Sequence, residues 1–233
     1  MNVRLPSNKN LTLVSDTCYR GNQVIHTRGP LIVEYLDRAI DVIDFALSQY
    51  RRIFAFRVDL RLPDATSSGT YPAHYEENTM ERFFTSFRYQ ILKQHREKDD
   101  DRYFHQTKVR YIWAREQRGR KPHYHVMMVL NGNAFCALGK FELDRNNLYN
   151  KLVVAWARTL RIAVEDAQTL VHIPKKQYRV HETDAAGLSE LLYRLSYLCK
   201  AETKQYGHGK RSFGTSREGH SRLVTVHRRG LLV

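Results

Sequence analysis

Cysteines and long apolar runs are scarce in this sequence, and their scarcity excludes several classes of protein. The 233 residues include three cysteines, Cys18, Cys136 and Cys199, and no two of them form a CxxC pair. Neither a disulfide framework nor a zinc ribbon is therefore supported. The longest purely apolar run covers residues 152–157, far fewer than the roughly 20 residues that span a membrane. The first residues also lack the apolar core of a signal peptide, so we expect a reduced, cytoplasmic protein without a membrane partner.

Acidic residues are few compared with basic ones. Lys and Arg total 38 against 24 Asp and Glu, which gives a formal net charge of +14 with neutral histidines. Such an excess indicates a polyanionic partner, most often nucleic acid. Hydrophobic residues make up 42% of the chain. This fraction allows a sizeable core, so a largely disordered chain is not expected.

The chain has no internal repeat, and its patterning divides it into three segments. Residues 1–30 are polar and weakly patterned, and we interpret them as an N-terminal arm. Residues 31–217 carry the periodic elements of one domain. Residues 218–233 are interpreted as a basic C-terminal tail.

Within residues 31–217, the apolar spacing predicts a helix, then the order strand, helix, strand, strand, helix, strand, and a last helix. The predicted ranges, in that order, are 31–47, 54–62, 80–92, 109–117, 123–130, 144–160, 169–173 and 187–204. This order is typical of the ferredoxin/RRM-like split β-α-β arrangement. The sequence therefore predicts an α+β fold with an antiparallel sheet, helices on one face, and the first and third strands as central neighbours.

Two histidines two residues apart form the sharpest local signal. His123 and His125 lie on a predicted strand, where residues two apart share a face. If the apolar faces of this strand and the preceding one coincide, Glu116 lies opposite His123, whereas a register slip of one residue would place Gln117 there. Two imidazoles and a carboxylate could then hold a metal ion. The alternative is an ordinary pair of surface histidines in a chain that has 11.

The last predicted helix carries two tyrosines and two lysines opposite its leucine stripe. At about 100° per residue, Tyr193, Tyr197, Lys200 and Lys204 fall on the non-core side. A phenol is a weak nucleophile because its reference pKa is about 10. A nearby ammonium group and a metal-polarised phosphate would favour its attack on a phosphodiester. The alternative is that the tyrosines cover the sheet with their hydroxyls in water.

Taken together and in order, these segments resemble a known family. The segment PHYHV, preceded by WAREQRGRK, is similar to the HUH motif of rolling-circle replication initiators, and YRLSYLCK is similar to their tyrosine motif. More specifically, RVDLRLP, YIWAREQ, HYHVMMVLN, YRLSYLCKAETKQYG and RSFGTSR resemble the inovirus gene II-type replication proteins of phages and prophages. The resemblance covers roughly residues 30–217.

This resemblance implies an HUH endonuclease that nicks and joins single-stranded origin DNA, and so initiates rolling-circle replication of a phage or mobile element in the bacterial cytoplasm. Mg²⁺ or Mn²⁺ would be held by His123, His125 and a third polar ligand, for which Glu116 is the candidate. Tyr197 would attack the scissile phosphate, forming a 5′-phosphotyrosine and freeing a 3′-OH. No GxxxxGK[ST] helicase motif is present, so a host helicase and polymerase are expected partners.

The family's Tyr-x-x-Lys pattern distinguishes the two tyrosines. Lys200 stands three residues after Tyr197, whereas Ser196 stands three residues after Tyr193. Tyr197 is therefore the expected primary nucleophile, and Tyr193 the expected second one. Basic residues of the hairpin tip and of the segment after the last helix are the candidates for DNA phosphate contacts: Arg118, Arg120, Lys121, Lys204, Lys210 and Arg211.

Other interpretations stand beside this one. A catalytically silent HUH-like protein could bind origin DNA as a regulator. The triplets His105-Gln-Thr107 and His181-Glu-Thr183 suggest a 2H phosphoesterase, although their middle residues are polar where those enzymes have an apolar residue. Asp59 could touch the metal or a ligand histidine, or it could be a solvated aspartate paired with a neighbouring arginine.

Overall fold

The computed structural model describes residues 3–64, 75, 78–97, 105–118, 121–204, 206 and 210–217, with backbone alone for 94–97, 118 and 121. The strands are β1 (Val3–Leu5), β2 (Asn8–Val14), β3 (Cys18–Tyr19), β4 (Asn22–Gln23), β5 (Leu31–Ile32), β6 (Arg52–Arg61), β7 (Arg110–Arg118), β8 (Lys121–Asn131), β9 (Val171–His172), β10 (Gln177–His181) and β11 (Phe213–Thr215). The helices are α1 (Val33–Gln49), α2 (Thr79–Glu97), α3 (Leu148–Leu160), α4 (Val164–Leu170) and α5 (Ala185–Ser196). None of the helices in these ranges has the length and hydropathy to cross a bilayer.

The main sheet is antiparallel, with the strand order β10-β6-β8-β7-β11, and β9 also pairs with β6. The predicted α+β class and the central pairing of β6 with β8 are confirmed. The predicted strand over 169–173 is reduced to the two residues of β9, because α4 extends to Leu170. β10 then forms the longer pairing along β6.

Helices cover both faces of this sheet, so the expectation of helices on one face is wrong. Strand β6 explains why. Four consecutive residues of this strand, Ile53–Phe56, are all buried. A strand segment that is apolar on both sides must be covered on both sides. Phe54 and Phe56 pack in the core that contains α2 and α3. Ile53 and Ala55 pack in a second core with α1 and α5.

The second half of β6 is different, since it alternates between apolar and polar residues. Val58 and Leu60 continue into the α2/α3 core, whereas Arg57 and Asp59 lie on the α1/α5 side of the sheet. This side therefore changes along the strand from an apolar surface to a polar one. The functional site described below lies on the polar part.

Residues 3–30 pack against the domain, although their sequence suggested an arm. Strands β1 and β2 pair with each other, and β2 pairs with β5 at the start of α1. Leu11 and Val24 are buried in the α1/α5 core. The carboxylate of Glu34, in the first turn of α1, accepts hydrogen bonds from the backbone N–H and the hydroxyl of Thr12, each 2.8 Å. These contacts tie the segment to the domain.

Helix α5 is shorter than predicted. It ends at Ser196, and residues Tyr197–Cys199 form one turn of 3₁₀ helix. Lys200 then takes an extended conformation and forms a β-bridge with Leu31. The chain beyond α5 therefore runs along the start of the domain instead of continuing the helix to residue 204.

Candidate functional site

The register of the β7–β8 hairpin brings the three predicted metal ligands together. Glu116 pairs with His123, as the alternation of the two strands predicted. Oε2 of Glu116 lies 3.3 Å from Nε2 of His125 and 4.0 Å from Nε2 of His123. The two Nε2 atoms are 3.1 Å apart. Neighbouring ligands of an octahedral cation lie about 3 Å apart, so these three atoms can hold a divalent metal ion with little rearrangement.

The carboxylate of Glu116 is suited to such an ion. Its side chain is fully buried, and neither oxygen has a hydrogen-bond partner among the described residues. Burial by itself raises the pKa of this carboxyl. His125, Lys204 and Lys200 outweigh burial, and the pKa of Glu116 lies well below its usual range. A charged carboxylate is a strong ligand for a hard cation.

Asp59 orients the second histidine. It lies opposite His125 on β6, and its Oδ1 is 2.7 Å from Nδ1 of that imidazole. In the tautomer with the proton on Nδ1, this nitrogen donates to the carboxylate and leaves the Nε2 lone pair for a metal. Nη2 of Arg57 lies 2.8 Å from the same Nδ1 and would donate to it in the other tautomer. Nε of Arg57 also donates to Asp59, at 2.6 Å. Asp59 therefore contacts a candidate ligand histidine, as one alternative expected. It also pairs with Arg57, but its side chain is 13% exposed, so the solvated aspartate of the other alternative is not found.

The ionisation of Asp59 follows from these contacts. Burial alone would raise the pKa of its carboxyl, but the hydrogen bonds from His125 and Arg57 lower it to about 2. Asp59 is therefore ionised throughout the physiological range and supplies a permanent acceptor for the imidazole. The same guanidinium of Arg57 lies 5.0 Å from the centre of the Tyr197 ring, so one residue contacts both the histidine support and the tyrosine.

The end of α5 places Tyr197 over this polar part of the sheet. Its ring centre is 5.8 Å from that of His125. Nζ of Lys200 donates a 2.8 Å hydrogen bond to its phenol oxygen. The same Nζ lies 3.1 Å from Oε2 of Glu116. One ammonium group therefore bridges the tyrosine and the candidate metal ligands.

Tyr193 is placed differently. It lies one turn earlier on α5 and is 38% exposed. The described contacts join Tyr197, and not Tyr193, to the histidines. Ser196, which stands where a Tyr-x-x-Lys pattern would have a lysine, is buried and accepts a hydrogen bond from the backbone N–H of Ile25. Ser196 thus anchors the end of α5 to the N-terminal segment.

The predicted DNA-contact residues fall into three groups. Arg120 and the side chains of Arg118 and Lys121 lie outside the described residues. Lys210 and Arg211 are exposed and precede Ser212, whose carbonyl accepts from the N–H of Arg115 on β7. They therefore lie at the surface beside the end of the strand that carries Glu116.

Lys204 differs from that expectation, since it is buried and does not present its ammonium group to the surface. Its Nζ is 3.6 Å from Oε1 of Glu116. Burial lowers the pKa of Lys204 to about 8, although Glu116 opposes this shift. The predicted helix would have held Lys204 on an exposed face. The early end of α5 instead turns the lysine into the protein.

One residue on this face was not singled out from the sequence. His172 of β9 lies opposite Asp59, on the other side of β6 from His125, and is exposed. Directly opposed residues share a face of the sheet, so His172 lies on the same side as the site. Its strand was predicted, but a lone histidine in a two-residue strand carries no sequence signal.

The 2H phosphoesterase arrangement is not formed. His181 ends β10 and bonds Thr183 just after the strand, with Nδ1 and Oγ1 2.8 Å apart. Residues 105–107 precede β7 and are not part of a strand. His181 pairs with Arg52, and His123 pairs with Arg61 at the other end of β6. The second triplet is therefore far along the sheet from the metal ligands.

Comparison with known proteins supplies a family for the chain. Residues 14–216 match the family model described as the YagK/YfjJ C-terminal domain. Two relatives from Escherichia coli strain K12 are named uncharacterized protein YagK and uncharacterized protein YfjJ. The chain is 31% identical to YagK over 200 residues, which is 82% of this chain and 95% of YagK. It is 32% identical to YfjJ over 203 residues, 81% of this chain and 96% of YfjJ. No solved structure matches.

Proposed function

The chain belongs to the YagK/YfjJ C-terminal domain family, and we propose that it is a metal-dependent HUH endonuclease. In this proposal it nicks and joins single-stranded DNA through a phosphotyrosine intermediate and initiates rolling-circle replication of a phage, prophage or other mobile element. One observation carries the proposal: Lys200 joins Tyr197 to Glu116, which lies with His123 and His125. A nucleophile, a cation and a metal-ligand set thus occupy one site.

The sheet topology supports the assignment to an HUH-type fold. The order β10-β6-β8-β7, with α2 between β6 and β7 and α3 between β8 and β10, is the order of a ferredoxin-like split β-α-β unit. Helices α1 and α5 add a layer on the second face. This added layer brings Tyr197 to the histidine strand.

Each residue has a defined task in the proposed reaction. A bound Mg²⁺ or Mn²⁺ would polarise the scissile phosphate. Asp59 holds His125 with Nε2 available for the metal. Lys200 donates to the phenol oxygen of Tyr197, and its positive charge would offset the negative charge that develops on the attacking oxygen and the phosphate. The phenol proton leaves to solvent as the oxygen attacks phosphorus.

The products follow from this geometry. A bond forms between the phenol oxygen of Tyr197 and phosphorus, and the bond from phosphorus to the 3′ oxygen breaks. The 3′ oxygen takes up a proton and becomes a free 3′-OH that a host polymerase can extend. The downstream strand stays attached to the protein as a 5′-phosphotyrosine. The phosphotyrosine bond conserves the energy of the broken phosphodiester bond, so a 3′-OH can rejoin the strand by the reverse reaction.

The experiment that tests this function does not require the origin sequence. The protein is incubated with a pool of randomised single-stranded oligonucleotides labelled at the 3′ end, in Mn²⁺ or in EDTA, and resolved on a denaturing gel. A labelled protein band that requires Mn²⁺ is expected, and mass spectrometry of the digested adduct should identify Tyr197. Sequencing of the attached strands would also give the preferred site.

The same experiment decides against the alternative. A catalytically silent HUH-like regulator would retard the migration of the DNA pool on a native gel. It would give no covalent band on a denaturing gel in Mn²⁺ or Mg²⁺. If the protein binds the pool but no sequence in the pool forms an adduct, the result would contradict the proposed nickase and favour the regulator. The intact set of Tyr197, Lys200, His123 and His125 supports the enzyme.

A further inference from the structure

Glu116 is held between two buried lysines. Nζ of Lys200 lies 3.1 Å from Oε2, and Nζ of Lys204 lies 3.6 Å from Oε1. The side chains of Glu116 and Lys204 are completely inaccessible to solvent, and that of Lys200 is 1% exposed. Two positive charges therefore face one negative charge where water cannot screen them.

The surrounding charges leave this excess uncompensated. Asp59 and Arg57 form their own ion pair at 2.6 Å, so they add no net charge. Both histidines must be neutral at Nε2 to bind a metal. With both histidines in this neutral form, a net charge of +1 is the sum over the five charged groups of the described site: Glu116, Asp59, Arg57, Lys200 and Lys204. A divalent cation at Glu116 would raise this to +3 in a low-dielectric environment, where like charges repel strongly.

We propose that Lys200 and Lys204 keep the affinity of the free protein for a divalent cation low and make the cation and the substrate phosphate bind cooperatively. This inference rests on the proposed function. A phosphodiester carries the negative charge that the site lacks, so its arrival offsets the repulsion between the lysines and the cation. Linkage requires the reverse effect as well, since the cation raises the affinity for single-stranded DNA by the same factor.

Lys204 allows the cleaner test of the two. Lys200 also bonds the phenol of Tyr197, so its replacement changes the nucleophile as well as the charge. Nζ of Lys204 has no hydrogen-bond partner among the described residues. Replacing it with methionine removes one charge and leaves Glu116 paired with Lys200. Lys176, which is exposed and pairs with Glu190 at 2.8 Å, provides the matched control.

The test measures metal binding directly. Free Mn²⁺ is titrated by electron paramagnetic resonance with and without a randomised 30-nucleotide single-stranded pool, in a Tyr197→Phe background that prevents cleavage. We expect Lys204→Met to tighten Mn²⁺ binding to the free protein about tenfold or more, the size of effect seen for groups around metal ligands. The strengthening of Mn²⁺ binding by DNA should shrink correspondingly. Lys176→Met should match the parent.

Other outcomes overturn the inference in distinguishable ways. Weaker or unchanged Mn²⁺ binding in Lys204→Met would show that the lysine orients Glu116 and does not oppose the cation. Should that variant lose its cooperative thermal unfolding, Lys200→Met supplies the same charge test. If neither the parent nor any variant binds Mn²⁺, with or without DNA, the proposed metal site is refuted, and the proposed function is refuted with it.

Discussion

Nδ1 of His125 and Oδ1 of Asp59 are 2.7 Å apart across two neighbouring strands. This contact orients the imidazole so that Nε2 lies 3.3 Å from Oε2 of Glu116. In the tautomer with the proton on Nδ1, the lone pair of Nε2 is available to a metal. The pair is possible because Asp59 and His125 are in register on β6 and β8 and share the polar side of the sheet.

Asp59→Asn should weaken Mn²⁺ binding about 10- to 100-fold, the usual cost of losing a carboxylate partner of a ligand histidine. The amide can present its NH₂ group to Nδ1 and so favour the tautomer that blocks Nε2. Isothermal titration with Mn²⁺ in the presence of single-stranded DNA measures the effect. Asp166→Asn, at an exposed position on α4, is the control. Equal affinities in both variants would show that Asp59 does not support the metal.

His123→Ala and His125→Ala should each abolish adduct formation and leave binding of single-stranded DNA largely intact. Each substitution removes a ligand atom from a set of three, whereas the basic residues that attract phosphate are unchanged. Adduct yield and filter binding measured on the same preparation separate the two effects. His181→Ala, at the far end of the sheet, should cleave like the parent. Wild-type cleavage by both ligand variants would refute the assigned site.

The two tyrosines should differ when each loses its hydroxyl. Tyr197→Phe is expected to reduce the covalent adduct to background, because Lys200 bonds Tyr197 and not Tyr193 among the described contacts. Tyr193→Phe should retain the first cleavage and impair a second transfer or the release of a circular product. Both keep the phenyl ring, so folding should change little. The reverse pattern would show that the lysine does not select the nucleophile.

The affinity for single-stranded DNA should fall steeply with salt. The expected slope of log K against log [salt] is about −0.7 for each phosphate contact on a single strand. The exposed pair Lys210 and Arg211 lies beside the end of β7, so its double substitution by alanine should flatten the slope by about 1.4 if each contacts one phosphate. Lys176→Ala should leave the slope unchanged. An affinity independent of salt would mean that the +14 charge does not serve DNA binding.

The attachment of the N-terminal segment should depend on the ionisation of Glu34. Burial raises the pKa of its carboxyl, but the bonds from Thr12 outweigh it and hold the pKa below the usual 4.5. A lowered pKa in the folded state stabilises the fold at neutral pH, and this contribution is lost as the pH falls through that value. Glu34→Gln should therefore lower the free energy of unfolding by about 1 kcal/mol at pH 7, and by less below pH 4.

Urea denaturation at several pH values gives this difference. Glu190→Gln is the comparison, since its ion pair with Lys176 is exposed on both sides and such pairs contribute little. If both variants lose the same stability at every pH, the bonds from Thr12 do not hold the segment in place.

Local alternation predicted that Glu116, His123 and His125 lie together, with a register slip to Gln117 as the alternative. On a strand the side chains alternate with a period of two, so the apolar face of one strand dictates which residues share the other face. The apolar residues of β7 and β8 therefore placed Glu116 opposite His123, and the structure has this pairing. The α+β class and the central pair of β6 and β8 followed from the order of strands and helices along the chain, which is also a local property of the sequence.

The buried positions of Lys200 and Lys204 could not be predicted from local alternation. Leu198 and Cys199 are buried after α5 has ended, so the apolar pattern continues past the end of the helix and conceals it. The lysines turn inward because the following backbone pairs with residues 30 and 31, a contact between segments about 170 residues apart. Periodicity reports only neighbours along the chain.

Because periodicity reports only local neighbours, it also could not predict the helices on the second face of the sheet or the packing of the N-terminal segment. An amphipathic stripe shows that a helix packs against something, but it does not say which face of a sheet it covers. Helices α1 and α5 therefore lie on the face that was expected to be open. The polar N-terminal segment becomes ordered through distant partners, among them Ser196, which bonds Ile25, and Glu34, which bonds Thr12. The sequence by itself determined which side chains share a strand face, because that depends on local geometry. Only the tertiary structure decided that Lys200 and Lys204 meet Glu116 and that Tyr197 meets His125, because these contacts depend on long-range packing.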